Sequence, residues 1–209
     1  MLGFGAKAKA KQQFEAQVAP WLDALYAAAL RLTRNERDAE DLVQDAVMRA
    51  YRFFDSFEQG TNFRAWLFKI LTNTFINQYR RSVKERALDS GSEREMVQAQ
   101  FFSFDATDPA SNPEDYLLQR VMSEDVLKAI DTLPVDFRMV VILADLQEFS
   151  YREIADILDV PVGTVMSRLF RGRKALHHAL VERGHGSDAG APLELDAYRA
   201  RKKSGTHGV

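Results

Sequence analysis

Two asparagines four residues apart, Asn73 and Asn77, stand between cations at Lys69 and Arg80, with Phe63, Phe68 and Tyr79 close by in sequence. Side-chain amides pair with base edges while aromatic rings stack on base faces, so this combination suits unstacked single-stranded bases. A solvated basic helix face is the plain alternative. A second constellation, YREIADILDVPVGTVMSRLF over residues 151–170, fits a helix-turn-helix. Its second helix turns Thr164, Ser167, Arg168, Arg171 and Lys174 outward and contains no acid, which suits phosphates and base edges of duplex DNA. A third, Asp38, Asp41 and Asp45 on one helix face, has the spacing of a magnesium site in an all-helical nucleotide hydrolase. Such a site needs further carboxylates from a second helix, and the next helix is basic on its open side. A solvated or partner-docking face is therefore the better reading of these acids. The four histidines, His177, His178, His185 and His207, are scattered and have no cysteine companions, so no metal site is expected. No glycine-rich phosphate loop or catalytic triad is present, and no cofactor is implied.

The elements that must position these groups are helices. Thr33 with Glu36 has capping-box spacing, or Asn35 itself caps, and Leu42, Val43, Ala46, Val47, Ala50, Tyr51, Phe54 and Phe57 then recur on one stripe. After Gly60, with Thr61 or Asn62 as cap, a second helix is expected from about Phe63 to Lys84. It buries Trp66, Leu67, Ile70, Leu71 and Phe75 and leaves Lys69, Thr72, Asn73, Ile76, Asn77, Arg80 and Lys84 open. In the later block Val126, Ile130 and Leu133 precede Pro134 and the apolar MVVILADL. Ser150 and Glu153 then form a capping box, and a turn at Asp159 to Pro161 leads into the last helix, which reaches about Leu180. Asp159 occupies the place where glycine is commonest, and Pro161 suits a helix start.

The chain has 209 residues, no cysteine, and 28 Lys+Arg against 30 Asp+Glu, a net charge of -2. Disulfides, a thiolate nucleophile and Cys-ligated metals are excluded. The near-neutral total hides sorted blocks, with a balance of +5 over residues 64–86, -4 over 35–58, -6 over 87–115 and +4 over 161–180. The stretch 87–115, rich in Ser, Asp, Pro and Gly, reads as a flexible linker, and residues from 184 onward as a disordered tail. No signal peptide or membrane span is read at the start or elsewhere, which predicts a cytoplasmic protein. The fold expected is all-α, with two small helical domains joined by a flexible acidic linker, the second a helix-turn-helix domain.

The stretch from DAEDLVQDAVMRAYRFF to INQYRR, followed after a linker by LPVDFRMVVILADLQEFSYREIADILDVPVGTVMSRLFRGRKAL, resembles the extracytoplasmic-function (ECF) sigma factors of bacterial RNA polymerase. The resemblance implies a flexible N-terminus over 1–14 and a promoter-melting, polymerase-binding domain over 15–86. The linker 87–115, a -35-binding helix-turn-helix domain over 116–183 and the tail 184–209 follow. It implies that Asp41, Gln44, Asp45, Met48 and Arg52 dock on core polymerase. Phe63, Trp66, Lys69, Asn73, Asn77, Arg80 and Arg81 are then assigned to the -10 element, where a base is flipped out. Thr164, Met166, Ser167, Arg168, Phe170, Arg171 and Lys174 are assigned to the -35 element, with Met166 where many relatives carry Arg or Lys. Phe101, Phe102 and Phe104 would thread with the linker toward the RNA exit path. The implied partners are core RNA polymerase, promoter DNA and an anti-sigma factor. The implied role is transcription initiation at a stress-responsive regulon, without enzymatic chemistry; a stand-alone helix-turn-helix regulator and the nucleotide hydrolase are its rivals.

Overall fold

Residues 3–90 and 124–181 are described in the computed structural model, with side chains over 9–85 and 126–181. A first group of helices comprises α1 Gly3–Val18, α2 Leu22–Thr33, α3 Glu36–Phe53 and α4 Phe63–Ser90, with short 3-10 turns at Ala19–Trp21 and Phe54–Ser56. A second comprises α5 Glu124–Thr132, α6 Val135–Val141, a π-helical turn Ile142–Leu146, α7 Tyr151–Leu158 and α8 Val162–Leu180. No strand occurs among the described residues. The expected linker overlaps the end of α4. The rest of it, with Phe101, Phe102 and Phe104, lies outside the described residues, as do residues 116–123, where the second domain was expected to begin with Tyr116, Leu117, Leu118 and Val121, and the tail from residue 184.

Local chemistry sets most helix ends. Arg34 turns into the left-handed region (φ 62°) and closes α2 by donating its N–H to the Leu30 carbonyl at 2.8 Å. Of the two cap readings for α3, Asn35 holds: its side chain accepts from the Asp38 N–H at 3.0 Å. Asn62 does the same for α4, accepting from the Ala65 N–H at 3.0 Å, while Thr61 turns back to the Glu58 carbonyl. The Ser150–Glu153 capping box is complete, and Asp159 is left-handed (φ 53°) at the end of α7. Pro161 stands one place earlier than a helix-start proline, as the cap residue before Val162.

The first core interleaves Leu25, Ala28, Ala29 and Leu32 of α2 with Ala39, Leu42, Ala46 and Ala50 of α3 and Leu67, Leu71 and Phe75 of α4. The alanines let α2 and α3 approach closely, and each buried Leu or Phe contributes about 1.5–3 kcal/mol. Tyr51, expected on this stripe, is exposed, although its ring lies 5.3 Å from that of Phe14. Residues 1–14 were expected to form a flexible N-terminus. Among the described residues, 3–14 belong to α1, and Phe14 is buried against Phe54 and Phe63 at centroid distances of 5.2 and 6.5 Å. The second core gathers Val126, Ile130, Leu133, Val140, Ile142, Ile154, Leu158, Val165, Leu169 and Leu176. Here α6 crosses α8 at Gly172, where an added Cβ would meet Val141 Cγ2 at 2.9 Å.

The two groups of helices pack on each other. α7 lies along the first half of α4, and Phe68 meets Phe149 edge to face at 5.0 Å. This burial corrects two expectations. Thr72, read as open, is buried and donates its hydroxyl to the Phe68 carbonyl at 2.9 Å. Phe68, read as a possible base-stacking ring, is fully covered.

Candidate nucleic-acid interface

The acidic face of α3 is open along its length. Asp41, Gln44, Asp45, Met48 and Arg52 are all exposed, opposite the buried Leu42, Ala46 and Ala50. Met48 is 54% exposed among these polar groups. Asp45 Oδ2 accepts from Gln78 Nε2 of α4 at 3.0 Å, which ties the acidic face to the next helix. That contact brings an amide, not a second carboxylate, to the acids. Among the described residues no group of three or more His, Asp or Glu side chains lies close enough to hold a metal ion.

On α4 the exposed groups include Lys69, Asn73, Asn77, Arg80, Arg81 and Lys84. Lys69, Asn73, Asn77 and Arg80 follow one another at helical spacing, so two amides lie between two cations on one strip. Phe63 and Trp66, half-buried one turn earlier, have centroids 5.5 Å apart and join Phe57 (5.1 and 5.0 Å) and Phe54 in an aromatic cluster. Each ring therefore has a fixed orientation at the upstream end of the amide strip. Tyr79 is half-buried and stacks on Phe75 at 6.0 Å. Arg81 is not a free cation: its Nε lies 2.8 Å from Glu85 Oε1, and that bond raises its already high pKa.

On α8, Met166 (54% exposed), Ser167 and Phe170 (48% exposed) point to solvent, and Thr164, Arg171 and Lys174 are half-buried beside them. Arg168 departs from the expectation of an unopposed cation. α8 itself carries no acid, but α6 presents Asp136 to Arg168 at 3.8 Å. Arg173 is held by Asp145, its Nε 3.2 Å from Oδ2, and turns away from the exposed face. Seating α8 depends on Ala155 and Leu158 of α7 and on the Val160 N–H, which donates to the Ala155 carbonyl at 3.1 Å.

Sequence reasoning missed the groups where the two helical units meet. Arg64 lies over three rings, with its guanidinium carbon 4.3 Å from the Phe149 centroid, 5.4 Å from Trp21 and 5.7 Å from Phe68. It also donates to the backbone carbonyl and the side chain of Gln147. Three arginines converge on Asp131. Arg31 Nη1 reaches its carboxylate at 3.0 Å, and Arg34 and Arg138 reach its carbonyl at 3.1 and 3.2 Å. Burial, with Arg34 nearby, pulls Arg138 down to about 10, and burial pushes the Asp131 carboxyl up against the pull of its arginines. Asn62 Nδ2 donates to Glu153 Oε1 at 2.7 Å across the same seam. The pairs that join the two units lie 83 to 100 residues apart, which leaves no periodic signal for them, while Arg138 and Asp131 lie seven apart within the second unit.

Residues 18–85 match Sigma-70 region 2 and residues 123–176 match Sigma-70, region 4. The chain is 40% identical over 140 residues to the ECF RNA polymerase sigma-E factor of Escherichia coli (strain K12), covering 66% of this chain and 72% of the relative. It is 37% identical over 166 residues to the ECF RNA polymerase sigma factor SigE of Mycolicibacterium smegmatis, covering 79% of this chain and 60% of that one. The sigma factor RpoE from Bartonella quintana, solved in complex with the anti-sigma factor NepR, superposes with a TM-score of 0.63 at 35% identity, over 81% of this chain and 98% of the other. CnrH, solved with the cytosolic domain of CnrY, shares the fold at 24% identity and a TM-score of 0.55, over 85% and 95% of the two chains. The chain belongs to the ECF RNA polymerase sigma factors, the subunits that bring core polymerase to promoters and start transcription there.

Proposed function

We propose that the three exposed faces divide the work of initiation. The α3 face of Asp41, Gln44, Asp45, Met48 and Arg52 docks on core polymerase. The α4 strip of Lys69, Asn73, Asn77 and Arg80, supported by Phe63 and Trp66, captures the unpaired -10 strand. The α8 face of Thr164, Met166, Ser167, Phe170, Arg171 and Lys174 enters the major groove at the -35 element, with Arg168 restrained by Asp136 and Arg81 by Glu85. The chain makes and breaks no covalent bond in this role. Flipping a base costs on the order of a few kcal/mol, and docking free energy plus phosphate contacts offset it. An anti-sigma factor that covers the polymerase-binding surfaces keeps the protein inactive until its signal arrives, and the site of action is the cytoplasm, where polymerase works.

The observation that carries this reading is the exposure of Asn73 and Asn77 on a helix whose Leu67, Phe68, Leu71, Thr72 and Phe75 are all buried. Two amides kept open on so heavily packed a helix have a ligand to meet. Asn73→Ala is expected to keep polymerase binding and to lose promoter opening. A lost base contact of about 1–3 kcal/mol corresponds to roughly 5- to 150-fold less open complex. Permanganate reactivity of unpaired thymines reads this directly, and a footprint equal to that of the unaltered protein would remove Asn73 from the role.

A further inference from the structure

One edge of the exposed side of α8 is apolar. Val162 (38% exposed), Met166 and Phe170 follow one another at i, i+4 and i+8, a ridge about 12 Å long at about 1.5 Å rise per residue, or three to four base-pair steps of about 3.4 Å. The core is complete without them, since Val165, Leu169, Leu176 and Leu180 fill the buried side of the helix. We propose that Met166, at the middle of this ridge, is a specificity-determining residue that reads a thymine of the -35 element through its 5-methyl group. This rests on the assignment of α8 to the major groove made above.

Methionine carries a weak acceptor and no donor, so it cannot pair with the polar edge of a base. A polar edge pressed against it would lose water and gain no partner. The thymine methyl is the apolar group that the bases present in the major groove, and a flexible thioether can follow its position closely. Val162 and Phe170, one turn before and one turn after, shield that contact from water. The surroundings favour duplex DNA over a protein as the occupant. α8 contains no acid, and Arg171 and Lys174 stand beyond the ridge, where phosphates would lie. Asp136 and Asp145 draw Arg168 and Arg173 aside, so neither guanidinium competes for the bases beside Met166. On the neighbouring strip Ser167 donates its hydroxyl to the Thr164 carbonyl at 3.0 Å, which leaves its oxygen to accept from an adenine or cytosine amino group next to the thymine.

The test uses holoenzyme assembled from the full chain and sigma-free core polymerase, on a promoter duplex at which it starts transcription. Each thymine of the -35 element, on either strand, is replaced in turn by deoxyuridine, which keeps every pairing group and removes only the 5-methyl. With the unaltered chain, one replacement is expected to weaken promoter binding about fourfold, the factor that corresponds to about 0.8 kcal/mol for one buried methylene-sized group. Met166→Ala should weaken binding to the thymine promoter by a similar factor and lose the distinction between thymine and uracil at that position alone, while Met166→Leu keeps it. Both variants should melt like the unaltered chain, because Met166 lies outside the core. Uracil tolerated at every position, an equal uracil penalty in Met166→Ala, or -35 elements built of G·C pairs alone would overturn the proposal. A Met166→Ala chain that loses core polymerase and keeps its thymine preference would give the ridge to a protein partner and overturn it too. If a promoter with a scrambled -35 element binds as tightly as the intact one, the -35 role of α8 itself fails; if that contrast persists without a uracil effect, the role of Met166 alone fails.

Discussion

Gly172 fixes how closely α8 can pack, and Gly172→Ala tests that seating quantitatively. The new Cβ would stand 2.9 Å from Val141 Cγ2, 3.3 Å from Phe137 Cβ and 3.4 Å from the Phe137 carbonyl oxygen. Val141 has no exposed surface, and a branched side chain fixed on α6 has no room to retreat. Overpacking of this kind costs about 1–3 kcal/mol. Alanine returns about 1 kcal/mol through helix propensity. With a backbone atom among the three close neighbours, the steric cost falls in the upper part of its range. The net loss is then about 1–2 kcal/mol, or a fall in Tm of roughly 2–8 °C. Gly163→Ala is the matched control, since a Cβ added there would have nothing within 4 Å, and that substitution should hold or raise Tm. Thermal unfolding followed by far-UV circular dichroism measures both. A Gly172→Ala protein as stable as the unaltered one would refute the close approach of α6 and α8.

Two other substitutions probe the remaining surfaces. Asp45→Lys should weaken capture of core polymerase, whereas Asp45→Asn keeps a partner for Gln78 and removes only the charge; a pull-down in which Asp45→Lys binds as well as the unaltered chain would sink the docking assignment. Glu153 is held below the usual carboxylate range by hydrogen bonds from the Ser150 hydroxyl and N–H, with Asn62 adding to them. Because its folded pKa is depressed, its stabilisation is fully present above the unfolded glutamate value and is lost as pH falls through the depressed one. Glu153→Gln should therefore flatten the acid side of the stability profile below about pH 4.5 while leaving its shape at neutral pH unchanged; an identical acid limb would contradict the capping geometry.

What the sequence discloses follows the range of the interaction. Asn35, the Ser150–Glu153 box and left-handed Asp159 are legible because each involves residues within four positions of one another. The open acidic strip of α3 and the amide strip of α4 are legible because helical spacing sets which side chains share a face. Thr72 and Phe68 are misread because α4 buries two sides, one against its own unit and one against Phe149, so its pattern has no single polar face. Arg168 looks free within α8 and meets Asp136 only through the fold. Arg64 and Asp131 resemble ordinary surface charges in the sequence, and their partners Gln147, Arg31 and Arg34 come from the other unit, far away in the chain.

Above all, this chain should give core polymerase the ability to start at chosen promoters. Reconstituted transcription on genomic DNA asks that question outright, with purified protein added to sigma-free core enzyme and RNA 5′ ends mapped. New 5′ ends are expected that appear only with the protein, share sequence elements about 10 and 35 base pairs upstream, and disappear with Asn73→Ala. Core polymerase that yields no new start sites with the protein, under conditions where another sigma factor directs initiation, would overturn the assignment.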